Sequence, residues 1–218
     1  MAISKFNYNS FNVTPVAGNA LSFNSDADGF TTQGASSMVL IKTLTASSSS
    51  DLTFVHGTSS VVFDGTYKEY QVHVINAHPQ TDNTILQILF RDGGSNYDAS
   101  IMTTYFAAQN TESDSGSLGY NTDQDETNST GGQNISEALG ADADQGSSGI
   151  ISIFEPANTS KVKHFTIRMA YNHQNDRIMD AYSAGYCNTT TAIDGIKFKM
   201  SSGNIDSGTF KLYGIKPS

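Results

Sequence analysis

Apolar and polar side chains alternate with a period of two through most of this chain, and that leaves little choice of fold. The alternation is clearest from Asp194 to Ile215. There Ile196, Phe198 and Met200 alternate with Lys197 and Lys199. After a turn-rich segment, Ser201 to Gly208, Phe210 and Leu212 alternate with Lys211 and Tyr213. Successive side chains of a strand point to opposite faces. Alternation bounded by Gly, Asn and Asp therefore predicts a β-hairpin with one buried and one wet face. Ile196, Phe198, Met200, Phe210 and Leu212 are the expected core side.

The same grammar recurs upstream. Tyr67 to Asn76 reads as a strand with Tyr70, Val72 and Val74 on one face, ended by Pro79, which cannot donate to a ladder. Ile85 to Arg91 is apolar on both faces and is expected to be central. Ile101 to Ala107 carries Met102, Thr104 and Phe106 on one face. Ile150 to Phe154 is expected to be buried on both faces. Val162 to Tyr171 places Phe165, Ile167, Met169 and Tyr171 inward and His164, Thr166 and Arg168 outward. Ala181 to Cys187 puts Tyr182, Ala184 and Tyr186 together. Shorter candidates are Met38 to Ile41, Leu52 to Val55 and Val61 to Phe63. Residues 109–149 are the least regular, with strands expected near Leu118 to Tyr120 and Gln133 to Ser136. Ala46 to Ser50 reads as a flexible turn. About ten short strands with polar turns and no helix predict an all-β chain, an antiparallel two-sheet β-sandwich of the jelly-roll type. It spans residues 37–218. Residues 1–36 read as an irregular N-terminal arm, either loosely ordered or attached to a partner through Phe6, Tyr8 and Phe11.

Composition narrows the function. The formal net charge is −9, with only 12 basic residues and no cluster of them. That argues against nucleic acid, whose phosphates need grouped Lys and Arg. No apolar run approaches the roughly 20 residues that span a bilayer. The first residues lack the apolar core of a signal peptide, so synthesis in a cytoplasm without cleavage is expected. One cysteine, Cys187, excludes an intrachain disulfide.

Catalytic patterns are missing. The histidines, His56, His73, His78, His164 and His173, have no zinc-ligand spacing, and there is no nucleophile elbow or phosphate loop. No cofactor is expected. The acidic doublets Asp26/Asp28, Asp123/Asp125 and Asp142/Asp144 lack the spacing of a calcium loop, and we read them as solvated turns. Paired carboxylates in a cleft would instead suggest glycoside hydrolysis. Tyrosines on the inward side of strands belong to the core. Tyr97 and Tyr120, in or near loops, are candidates for a contact surface, together with Asp123, Asp125, Asp142 and Asp144.

Several segments resemble a known group. They are Tyr67-Lys68-Glu69-Tyr70, Ile75-Asn76-Ala77-His78-Pro79, Phe90-Arg91-Asp92-Gly93-Gly94-Ser95-Asn96-Tyr97, Lys163-His164-Phe165 and Ala184-Gly185-Tyr186-Cys187-Asn188-Thr189-Thr190. The longest is the string from Ile196 to Ile215. Over residues 37–218 the chain resembles virion structural proteins of marine, cyanophage-like tailed bacteriophages, of the tail-fibre-like kind. The resemblance implies a non-enzymatic virion component that assembles as a homo-oligomer, a homotrimer, with other phage virion proteins of the tail or capsid. A tail-fibre-like role implies contact with a host surface glycan or protein. A capsid decoration or head-fibre protein is the alternative, and a free carbohydrate-binding module is the alternative from another class.

Overall fold

The structure, a computed structural model, describes residues 20–23, 30–33 and 37–216. The chain divides into two compact units, residues 1–37 and 38–218. In the first, β1 (Ala20–Phe23) and β2 (Phe30–Gln33) form an antiparallel hairpin, with Ala20 opposite Gln33 and Phe23 opposite Phe30. The segment expected to be irregular thus contains a strand pair. Phe6, Tyr8 and Phe11 lie outside the described residues.

The second unit is entirely antiparallel. Its strands are β3 (Met38–Ser49), β4 (Leu52–Val55), β5 (Glu69–Pro79), β6 (Thr84–Arg91), β7 (Ile101–Thr111), β8 (Gly116–Tyr120), β9 (Thr127–Ser129), β10 (Gln133–Leu139), β11 (Ser147–Phe154), β12 (Lys163–His173), β13 (Arg177–Cys187), β14 (Gly195–Met200) and β15 (Ile205–Ile215). Among the described residues the helical content is one 3-10 turn, Thr122–Gln124. A long ladder runs β3-β15-β5-β11-β12-β13-β7, with β8 and β9 on the far side of β7; a short ladder runs β10-β6-β14-β4. One residue pair, Leu139 opposite His173, joins them. The outermost strands β3 and β4 are consecutive, linked through Ser50 and Asp51, so the sheet nearly closes on itself.

Eight of these strands, β3, β4, β5, β6, β10, β11, β14 and β15, pair first with last, second with seventh, third with sixth and fourth with fifth. This is the pattern of one long hairpin rolled up. It corrects the expected closing hairpin: β14 pairs with β4 and β6, β15 pairs with β3 and β5, and the two do not pair with each other. Their apolar faces meet across the core instead, where the Phe198 and Phe210 rings lie 4.9 Å apart. Phe90 of β6 and Phe165 of β12 make a second contact between the ladders, also at 4.9 Å. Alternation states which side of a strand is apolar, and a side that packs across a core looks the same as one shared within a hairpin.

The expected core residues Tyr70, Val72, Val74, Phe165, Ile167, Met169, Tyr171, Ile196, Phe198, Met200, Phe210 and Leu212 are all buried. Three further expectations fail. The serine tract is strand as far as Ser49, because Ser47 and Ser49 face Ser207 and Ile205 on β15 and pairing outweighs the weak strand preference of serine. Val61 and Phe63 are buried but belong to a loop without ladder partners. Strand β11 is buried on one face only: Ile151 and Ile153 are enclosed, while Ile150 and Phe154 are 46% and 37% exposed.

Candidate functional site

The two ladders turn very different outer faces to their surroundings. On the short ladder, Thr53, Lys197 and Leu89 stand opposite one another, and so do Lys199, Gln87 and Asn134. Leu89 is covered, so this face is polar. On the long ladder the outward positions mix polar and apolar side chains: β12 turns out His164, Thr166, Arg168, Ala170 and Asn172, while β11 turns out Ile150 and Phe154 beside Ser148 and Ser152. Among the described residues, and apart from Leu21 in the first unit, every exposed large hydrophobic side chain lies on this face: Leu40, Ile75, Met102, Phe106, Leu118, Tyr120, Ile150, Phe154 and Ile178.

Strand register arranges this face in rows. Ile150 of β11, Arg168 of β12, Tyr182 of β13, Phe106 of β7 and Tyr120 of β8 stand opposite one another across five strands. The Tyr182 and Phe106 rings are 4.9 Å apart and 2° from parallel, which matches the strand spacing and stands both rings upright, face to face. The Arg168 guanidinium lies over the Tyr182 ring, 5.1 Å from its centroid. Arg168 also holds Asp180 through two bonds, Nε to Oδ1 at 3.1 Å and Nη2 to Oδ2 at 3.0 Å, and the Tyr182 hydroxyl donates to the same carboxylate at 3.2 Å. Arg168 keeps the Asp180 carboxyl below its usual range, so the pair stays ionised and mutually neutral.

Two residues along each strand lies a row of small side chains, Ser152, Thr166, Ala184 and Thr104. Beyond it, His164, Tyr186 and Met102 form a second raised row, with the Tyr186 hydroxyl 3.0 Å from Met102 Sδ. The small row floors an open groove of about 350 Å³, whose wall on one side is Ile150, Arg168, Tyr182 and Phe106. The groove therefore runs across the strands.

Of the contact residues expected from sequence, Tyr120 lies at the β8 end of the first row, where its hydroxyl donates to Asp125 Oδ2 and accepts from Thr104 Oγ1 at 3.4 Å. Asp123 sits in the 3-10 turn after β8, its amide bonded to Asn121 Oδ1 at 3.1 Å. Tyr97 is elsewhere: it is half-buried on the short-ladder side, with Lys197 Nζ 4.3 Å and the Arg91 guanidinium 5.9 Å from its ring centroid. Asp142 and Asp144 belong to the β10–β11 loop, where the Asp142 carbonyl meets His78 Nε2 at 3.1 Å. These two acidic doublets thus occupy different loops, and the third, Asp26/Asp28, lies outside the described residues. Among the described residues no group of three or more His, Cys, Asp or Glu is placed to hold a metal ion.

Sequence reading missed a polar cleft beside β8, lined by Tyr120, Asn121, Glu137, His173 and Arg177. Glu137 accepts from Asn121 Nδ2 at 3.1 Å, and burial, followed by nearby Asp123, raises its pKa. Its position mid-strand among apolar neighbours was the available signal. The outward row was missed for a different reason: Ile150, Phe106 and Tyr182 look like core residues in any alternating strand.

Among the described residues no helix is long and apolar enough to cross a membrane. No protein-family model matches the chain, and neither a curated protein nor a solved structure matches it.

Proposed function

We propose that this chain is a non-enzymatic structural protein of a bacteriophage particle, tail-fibre-like, that works by surface contact as a homo-oligomer. The observation that carries the contact role is the outer face of the long ladder. Exposed apolar side chains scattered singly are ordinary, but contiguous ones rimmed by polar groups mark interaction surfaces. The particle assignment rests on the resemblance of residues 37–218 to phage virion proteins. A chain that acts through contact needs a stable platform, and the rolled pairing of β3 to β15 supplies one. The same pairing supports reading the two ladders as the layers of a jelly-roll sandwich. The Phe198–Phe210 and Phe90–Phe165 contacts between them support it as well.

For contact with a host surface glycan the face offers one open ring. Sugars stack on free ring faces, and the facing surfaces of Tyr182 and Phe106 are already used on each other. Tyr120 is the ring that remains 61% exposed. Mass spectrometry of purified particles tests the assignment directly. The chain is expected at a fixed copy number, and its absence from intact particles overturns the proposal. Electron microscopy of the same particles separates a tail position from capsid decoration.

A further inference from the structure

We propose that the outer face of the long ladder is where copies of this chain pack on one another, the raised row of one copy seated in the groove of the next. The inference rests on the homo-oligomer part of the function proposed above and names the surface that makes it. Three observations choose a second copy as the occupant.

The first is charge. Each copy carries a net −9, so most approaches of two copies bring like charges together. The centre of this face avoids that. Its acidic side chain, Asp180, is held by Arg168, and the flanking positions are Ile150, Tyr182, Phe106 and Thr166. A basic partner would find its complement on the acidic loops instead. A centre whose charges cancel in one ion pair, beside a ridge of aliphatic and aromatic side chains, is best matched by another such surface, and the chain itself supplies one.

The second is relief. The upright row from Ile150 to Tyr120 and the small row Ser152, Thr166, Ala184 and Thr104 lie side by side. Ridge and groove are therefore present on one surface. Two copies that exchange them in both directions satisfy the contact, and so does a closed ring in which each ridge enters the next groove. The Tyr182–Phe106 stack fixes the ridge before contact, so little side-chain freedom is lost on docking.

The third is size. Five strands at about 4.8 Å spacing span roughly 19 Å, and the eight steps from Ile178 to Tyr186 span roughly 27 Å. The flat footprint is about 500 Å² per copy, or about 1,000 Å² for a pair, the lower bound for a specific interface.

The test is sedimentation equilibrium of the full chain over a wide concentration range, with near-UV circular dichroism to check folding. Wild type is expected to associate. Ile150→Glu, at a position 46% exposed, is expected to weaken association by a factor on the order of 30. Ala184→Arg fills the groove floor without touching the core and is expected to do the same. Lys199→Glu, on the opposite outer face, is expected to leave association unchanged. A wild type that stays monomeric at the highest attainable concentration overturns the inference. So does an oligomer whose mass survives both Ile150→Glu and Ala184→Arg. A monomer that binds glycan or lipid vesicles through this face overturns it too and gives the face to that ligand. Association with the expected sensitivities in a chain absent from purified particles would leave this inference standing and remove the virion assignment.

Discussion

Lys163 is the one charged side chain in the core among the described residues, at 1% exposure. Its ammonium donates to the Lys161 carbonyl at 3.2 Å and the Thr189 carbonyl at 2.9 Å, tying the start of β12 to the loop after β13. Burial lowers its pKa. Lys163→Ala is expected to cost roughly 2–4 kcal/mol in urea unfolding, because it empties a buried site and strands two carbonyls. Two histidines contribute to the response to acid. Burial, then Lys211, lowers the pKa of His73, and burial, then Arg177, lowers that of His173. Below the ordinary value of 6.5 the unfolded chain takes up these protons first, so stability is full above that pH and falls as pH drops through the depressed values. Urea midpoints between pH 5 and 7 are expected to show this slope, and His73→Gln with His173→Gln to flatten it. Neither histidine was distinguishable in the sequence from an exposed one, since burial is decided by neighbours from other strands.

At the scale of the element, glycines set how closely strands approach. A Cβ on Gly185 of β13 would lie 2.5 Å from the Met102 carbonyl oxygen and 3.1 Å from Phe165 Cζ. Gly185 faces Phe165 across the ladder, and its missing side chain is the space that the ring occupies. Gly185→Ala is expected to destabilise the fold by about 1–3 kcal/mol in the same unfolding measurement, with the strands displaced rather than the pairing changed. The inward residues of β5, β12, β14 and β15 were legible because each strand has one apolar side. Strand β11 was not: Ile150-Ile151-Ser152-Ile153-Phe154 offers apolar residues to both sides, and burial on both is the ordinary reading of such a run. Only its neighbours β5 and β12, both of which turn their outward side chains to the surroundings, leave Ile150 and Phe154 uncovered.

At the scale of the whole molecule, the long-range pairings govern folding. Strand β15 lies between β3 and β5, so residues near both ends of the second unit must meet before the sheet is complete. Removing residues 205–218 would leave β3 without its only strand partner among the described residues and strip one side of β5. Such a truncation is expected to abolish the cooperative thermal transition seen by circular dichroism, where loss of a peripheral strand would only lower it. The contacts across the core extend the same dependence, because Phe198 and Phe210 belong to different ladders. A sheet built from pairings this distant in sequence is also expected to fold slowly, in milliseconds to seconds, by stopped-flow fluorescence of its tyrosines.

The alternation of side chains determined, without any structure, that this is a strand protein and which side of most strands is apolar. These are local properties, set by the two-residue period of an extended backbone. Which strands share hydrogen bonds was decided only in three dimensions. Met200 and Ile205 are separated by a short turn, yet β14 and β15 join different ladders because their apolar sides meet best across a core. The same decision created the candidate contact face. Ile150, Arg168, Tyr182, Phe106 and Tyr120 are dispersed along the chain, and cross-strand register alone brings them into one row. Register is a property of pairs of strands, and a single strand's sequence does not contain it.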